Sequence, residues 1–105
     1  MLVAIAKTVL HFPVANEWDP RKARANERKH GVTFEQTALV FGDPLALIED
    51  DSHHEDGREL ILGRPYPARR DLLLVVFIEV REDVIRIISA RQATAAERRR
   101  YEEGR

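Results

Sequence analysis

The chain of 105 residues contains no cysteine. That removes disulfide frameworks, thiolate metal sites and thiol nucleophiles together, and it suits the cytoplasm. The longest apolar run, Leu72 to Ile78, falls far short of the roughly 20 residues needed to cross a bilayer, so no membrane partner is expected. The apolar N-terminal stretch lacks the basic flank and small-residue cleavage site of a secretory signal and reads instead as an extra strand or helix. Patterns of the G-x-x-x-x-G-K, G-x-G-x-x-G and H-E-x-x-H types are missing, as is a nucleophile elbow. No nucleotide cofactor, metal or serine-hydrolase chemistry is therefore expected. Lysine is scarce, occurring only at Lys7, Lys22 and Lys29.

What the chain has is charge, and arginine above all. Charged residues make up 33% of it against a usual value of about 25%, while the 44% of hydrophobic residues is enough for a small core. The formal net charge of −1 hides segmental polarity. Arg21, Lys22, Arg24, Arg28 and Lys29 form one basic block, and Arg86, Arg91, Arg98, Arg99 and Arg100 form another. Between them lies the acidic stretch Glu49 to Glu59. Arginine's planar fork favours phosphate or carboxylate partners, so a locally positive surface is compatible with the neutral sum.

The pattern predicts an α+β domain over residues 1–105, with 1–16 as an N-terminal extension. Asp19 and Pro20 open a polar surface helix that ends at His30 and Gly31. Thr33 to Gln36 fits a capping box for a second helix, whose apolar face is Phe34, Ala38 and Phe41 and which Gly42-Asp43-Pro44 closes. Four strands follow at Leu45–Ile48, Glu59–Leu62, Leu72–Glu79 and Val84–Ala90, forming a mostly antiparallel sheet. In the last of them, strict alternation sends Arg86 and Arg91 to opposite faces unless a bulge intervenes. Thr94 to Glu97 is a second capping box and opens a C-terminal helix.

The chemistry-bearing candidates divide into histidines and arginines. His53 and His54 lie in an acidic turn whose spacing does not converge on a metal, yet either histidine suits general acid–base work near neutrality. Lys29 and His30 close the first helix, where they complement its dipole or hold a phosphate. Arg64, Arg86, Arg91 and Arg98 can gather on one sheet region and stabilise a phosphoryl transition state without a metal. The competing reading is a set of surface ion pairs with Glu59, Glu79 and Glu97.

The strings WDPRKARANERKHGVTFEQ, VFGDPLAL, ELILGR and IRIISARQATAAERRRYEE, spanning residues 18 to 103 in this order, resemble the BrnT family of ribonuclease toxins from bacterial type II toxin–antitoxin systems. The resemblance implies a RelE-like α+β fold, in keeping with the two N-terminal helices, four-stranded sheet and one C-terminal helix read from the pattern. It implies translation arrest by RNA cleavage and neutralisation by a BrnA-like ribbon-helix-helix antitoxin, in a heterotetramer dimerised through the antitoxin, which alone contacts DNA. Lys22, Lys29, His30, Arg64, Arg86, Arg91 and Glu97 fall on the matching blocks. Arg64, Arg86 and Arg91, with His53 or His54, are the expected catalytic set; Lys22, Lys29, His30 and Arg98 are the expected RNA contacts. The alternative is a non-catalytic module that binds nucleic acid or protein.

Overall fold

A computed structural model of the chain describes residues 15–52, 54, 56–68 and 70–104. Residues 1–14, most of the expected N-terminal extension, lie outside the described residues, as does His53. The elements are β1 (Ala15–Glu17), α1 (Pro20–His30), α2 (Phe34–Ala38) running into a 3₁₀ turn (Leu39–Gly42), β2 (Leu47–Asp50), β3 (Glu59–Gly63), β4 (Leu73–Arg81), β5 (Val84–Gln92) and α3 (Ala95–Glu103). The strands form one sheet in the order β1-β5-β4-β3-β2. Neighbours are antiparallel except β1, which lies parallel to β5 at the edge.

The expected four-stranded sheet is thus five-stranded. The added strand is only Ala-Asn-Glu, a sequence poor in strand formers, and it is held by pairing with Val84 to Arg86 rather than by its own propensity.

Helix ends follow the expected chemistry. Asp19 accepts from the Arg21 N–H, Pro20 occupies the first turn, and Gly31 closes α1 at φ 71° with its N–H on the Glu27 carbonyl. Thr33 caps α2 by accepting from the Gln36 N–H. The reciprocal half of that capping box is not made, because the Gln36 side chain donates to Asp71 instead. The second helix tightens into a 3₁₀ turn and ends at Asp43, whose extended backbone (ψ 114°) is what a residue before proline adopts.

Alternation along the strands divides the core. Ile48, Ile61, Leu73, Val75, Phe77, Ile85, Ile87 and Ala90 face Val32, Phe34, Val40 and Phe41 under α1 and α2. Phe41 meets Phe77 edge-on with centroids 5.0 Å apart, and Trp18 meets Phe34 likewise at 5.9 Å. On the opposite face Leu62, Leu72 and Leu74 pack with Tyr101 of α3.

The register of β4 against β5 shifts between Val76 and Phe77, which pair with Ser89 and Ile87 and leave Ile88 as the extra residue of a bulge. The shift corrects the expectation that Arg86 and Arg91 point apart. Arg91 is the partner of Leu74 and Arg86 the partner of Ile78. Leu74 and Ile78 share the α3 face of β4, so both arginines lie on that face.

Asn26 secures the bulged strand to α1. It is the buried residue of an otherwise polar helix, accepting from the Ala90 N–H at 3.0 Å while donating to the Val32 carbonyl at 3.0 Å. Asn26→Ala strands both groups in the interior, at a cost of about 1–3 kcal/mol each. Urea denaturation should report a loss of roughly 2–4 kcal/mol, while Arg24→Ala on the exposed side of the same helix stays within about 0.5 kcal/mol. Equal stabilities of the two variants would contradict this role.

Candidate active site

The site is built on a buried carboxylate. Asp43 is fully buried, and its Oδ2 accepts from the Tyr101 hydroxyl at 2.7 Å and from the Arg64 backbone N–H at 2.8 Å. Its Oδ1 accepts from the Leu45 N–H at 2.9 Å. Three donors satisfy a charge that would otherwise be costly to bury. The approach is so close that a Cβ on Gly63 would lie 3.1 Å from Asp43 Oδ2 and 3.0 Å from Val40 Cγ1, which explains the glycine preceding Arg64.

Asp43 thereby fixes both the backbone of Arg64 and the ring beneath its side chain. The Arg64 guanidinium lies 5.3 Å above the Tyr101 ring centroid, a cation–π contact that holds it without neutralising it. Among the described residues Arg64 has no carboxylate partner.

Arg91 is held differently. Its two terminal nitrogens donate to the two Glu97 oxygens at 2.9 Å each, a bidentate pair in which Glu97 also completes the Thr94 capping box. This bond keeps the Glu97 carboxyl below its ordinary range and raises the Arg91 guanidinium further, burial opposing both shifts. Glu97 and Tyr101 stand one turn apart on α3, so Arg91 and Arg64 flank a single ridge of that helix.

The remaining candidates lie elsewhere. Arg86 sits toward the other end of β5, its Nε donating to Glu17 at 2.8 Å, and it shares a groove of about 460 Å³ with Trp18, Lys22 and Ile88. His54 occupies the β2–β3 turn, its Nδ1 2.9 Å from Asp51 Oδ2. That turn hangs from the end of β3 remote from Arg64, with Gly57 approaching Ile78, the strand partner of Arg86. Lys29 and His30 end α1 beyond Asn26, and Arg98 is exposed on α3. The expected set therefore separates into Arg64 with Arg91 at α3, and Arg86 with Lys22 at the α1 edge. Sequence reading passed over Asp43 and Tyr101; their signal, an acid before proline and an aromatic in an arginine-rich helix, reads locally as a turn and a packing residue. Among the described residues no three His, Asp or Glu side chains cluster as metal ligands, and no helix is long and apolar enough to cross a membrane.

Comparison with known proteins identifies the family and the fold. The model of a class of ribonuclease toxins from type II toxin–antitoxin systems matches residues 18–97, a segment that holds every element from α1 to the Glu97 end of the ridge. The class is described as "Ribonuclease toxin, BrnT, of type II toxin-antitoxin system", and the chain belongs to this BrnT family. Its partner is accordingly a cognate antitoxin. The 1.1 Å crystal structure of the Brucella abortus ribonuclease toxin BrnT shares the fold, with a TM-score of 0.61 at 22% identity, covering 76% of this chain and 96% of that one. No curated protein sequence matches.

Two outcomes follow from the geometry. Tyr101→Phe keeps the ring but removes one donor from a buried carboxylate, and should cost about 1–3 kcal/mol in denaturant unfolding; an unchanged midpoint would contradict it. Because the folded-state value of Glu97 lies below the unfolded one, its contribution is fully present above about pH 4.3 and is lost as pH falls through the folded value. Urea midpoints measured from about pH 6 to about pH 3 should fall more steeply for the wild type than for Glu97→Gln. Parallel curves would show that the pair contributes nothing.

Proposed function

We propose that the chain cleaves RNA without a metal, with the Arg64–Arg91 ridge holding the scissile phosphate. The observation that carries this reading is the Arg64 guanidinium, fixed over Tyr101 and free of any carboxylate among the described residues. A positioned cation of this kind stabilises the charge that develops on phosphoryl oxygens. RNA supplies the nucleophile. Its 2′-oxygen attacks the adjacent phosphorus, the bond from phosphorus to the 5′-oxygen breaks, and a 2′,3′-cyclic phosphate and a 5′-hydroxyl result.

Two groups suit the proton transfers, the Glu97 carboxylate and the His54 imidazole oriented by Asp51. Position favours Glu97, since His54 lies beyond the opposite end of β3 from Arg64. A phosphate binding Arg91 releases the carboxylate to accept the 2′-OH proton, and the protonated Glu97 or a water then donates a proton to the departing 5′-oxygen. Arg86, Lys22, Lys29, His30 and Arg98 then serve the RNA path along the basic surface.

The whole chain acts as one domain in the cytoplasm, arresting translation by cutting RNA. A BrnA-like ribbon-helix-helix antitoxin covers β5 and the basic helices with an acidic or amphipathic segment, charge complementarity speeding the encounter. The assembly is a heterotetramer dimerised through the antitoxin, which carries the DNA contacts. Addition of the adjacent reading frame's product should stop cleavage; toxin that stays active at saturating partner would overturn this arrangement.

Purified chain should release cyclic-phosphate ends from cellular RNA in the presence of a chelator. Arg64→Ala and Arg91→Ala should each reduce the rate by about 10²–10³-fold, the usual loss of one charge-stabilising donor. Activity abolished by chelation and restored by a divalent ion would refute the metal-free mechanism. Intact RNA with folded wild-type protein, on free RNA and on translating ribosomes alike, would favour a non-catalytic binding module.

A further inference from the structure

Among the described residues the large apolar side chains left exposed are Leu39 and Tyr66, each 43% accessible. They are neighbours. The Tyr66 N–H donates to the Leu39 carbonyl at 3.1 Å, pinning the β3–β4 loop onto the 3₁₀ turn. Beside this junction runs a groove of about 290 Å³ lined by Gln36, Leu39, Pro65, Ala68, Arg70 and Asp71. Its composition is uneven in a useful way. Leu39, Pro65 and Ala68 make an apolar floor, Gln36 and Asp71 form a polar wall joined by a 3.0 Å hydrogen bond, and Arg70 adds a cation. Arg64 is bonded directly to Pro65.

We infer that this groove is a nucleobase subsite, which takes a base of the nucleotide at the scissile phosphate or of the one next to it. The inference rests on the reading of Arg64 as a phosphate-binding residue. Arg64 and Pro65 are consecutive, so the segment that carries the guanidinium also forms part of the groove's floor. Tyr66 provides a ring on which a base stacks, the way single-stranded RNA is commonly held. The Gln36 amide spends one N–H on Asp71 and keeps its carbonyl oxygen and second N–H, a donor–acceptor pair suited to a base edge. The volume falls at or below the small end of the roughly 300–1,000 Å³ of ligand clefts, which suits one planar ring better than the face of a partner helix.

The test separates the subsite from the phosphate site. RNA with 2′-O-methyl groups cannot supply the nucleophile, and photoreactive pyrimidines or purines placed at successive positions of it should crosslink to the peptide containing Tyr66. Tyr66→Ala should abolish that adduct and raise KM for cleavable RNA by about 5- to 100-fold, the range of one stacked base, with kcat less affected. Tyr66→Phe, which keeps the ring, should stay close to wild type. Gln36→Leu should weaken the preference among bases, raising KM for the preferred base more than for the others.

Adducts confined to α1 or to the sheet, with KM for Tyr66→Ala within about two-fold of wild type, would overturn the inference. So would a Tyr66→Ala variant that loses antitoxin binding while its KM and crosslinks stay unchanged, since the groove would then belong to the protein partner. Failure of the catalytic reading looks different: Arg64→Ala would cleave as wild type does, whatever the crosslinks show.

Discussion

The buried carboxylate of Asp43 is the interaction on which the rest of the site depends. It joins the end of the 3₁₀ turn, the approach to β2, the end of β3 and the C-terminal helix through one side chain. A carboxylate in the interior is tolerated only when its lone pairs are met, and here two backbone N–H groups and a phenolic hydroxyl meet them. The consequence reaches the surface. Arg64 thus has its backbone tied from below and the Tyr101 ring beneath its guanidinium. A charge-stabilising group that is already in place does not have to be reorganised when charge develops.

The second determinant is the extra residue in β5. A strand of strict period two places alternate residues on opposite faces, and one inserted residue reverses that assignment for everything beyond it. The bulge at Ile88 thus brings Arg86 and Arg91 to one face of the sheet, separated along the strand by about four steps of roughly 3.3 Å. Asn26 lies beside the same irregularity, meeting the Ala90 N–H where β1 no longer covers the edge. Arg86 and Arg91 therefore share a sheet face while belonging to separate groups, Arg91 beside α3 and Arg86 beside Lys22 at the α1 edge.

Much of this was legible in the sequence wherever the cause is local. Asp19-Pro20, Gly31, Thr33 and Thr94 fix helix ends through bonds within a few residues, and the apolar run after Leu72 marks the strand buried on both faces. The strand β1 was not legible, because Ala-Asn-Glu carries no strand preference and is held by a partner 69 residues away. The bulge depends on pairing with β4, and the role of Gln36 changed because Asp71, distant in sequence, competes for its amide. In the site, arginines were visible as chemistry but not as neighbours. Asp43 and Tyr101 are 58 residues apart, and no periodicity links them.

The picture that emerges is of a small BrnT-family ribonuclease toxin with one arginine kept uncommitted by an aromatic ring and a second held in reserve by an ion pair. On this reading RNA reaches Arg64 and Arg91 together. Arginine Nε–H resonances, followed by NMR while 2′-O-methyl RNA is titrated in, test this directly. The Arg64 and Arg91 signals should move in step with RNA concentration, and the Arg91 shift should report loss of its Glu97 partner. Shifts restricted to Arg21, Arg24 and Arg28 on α1, with Arg64 and Arg91 unmoved at saturation, would contradict it.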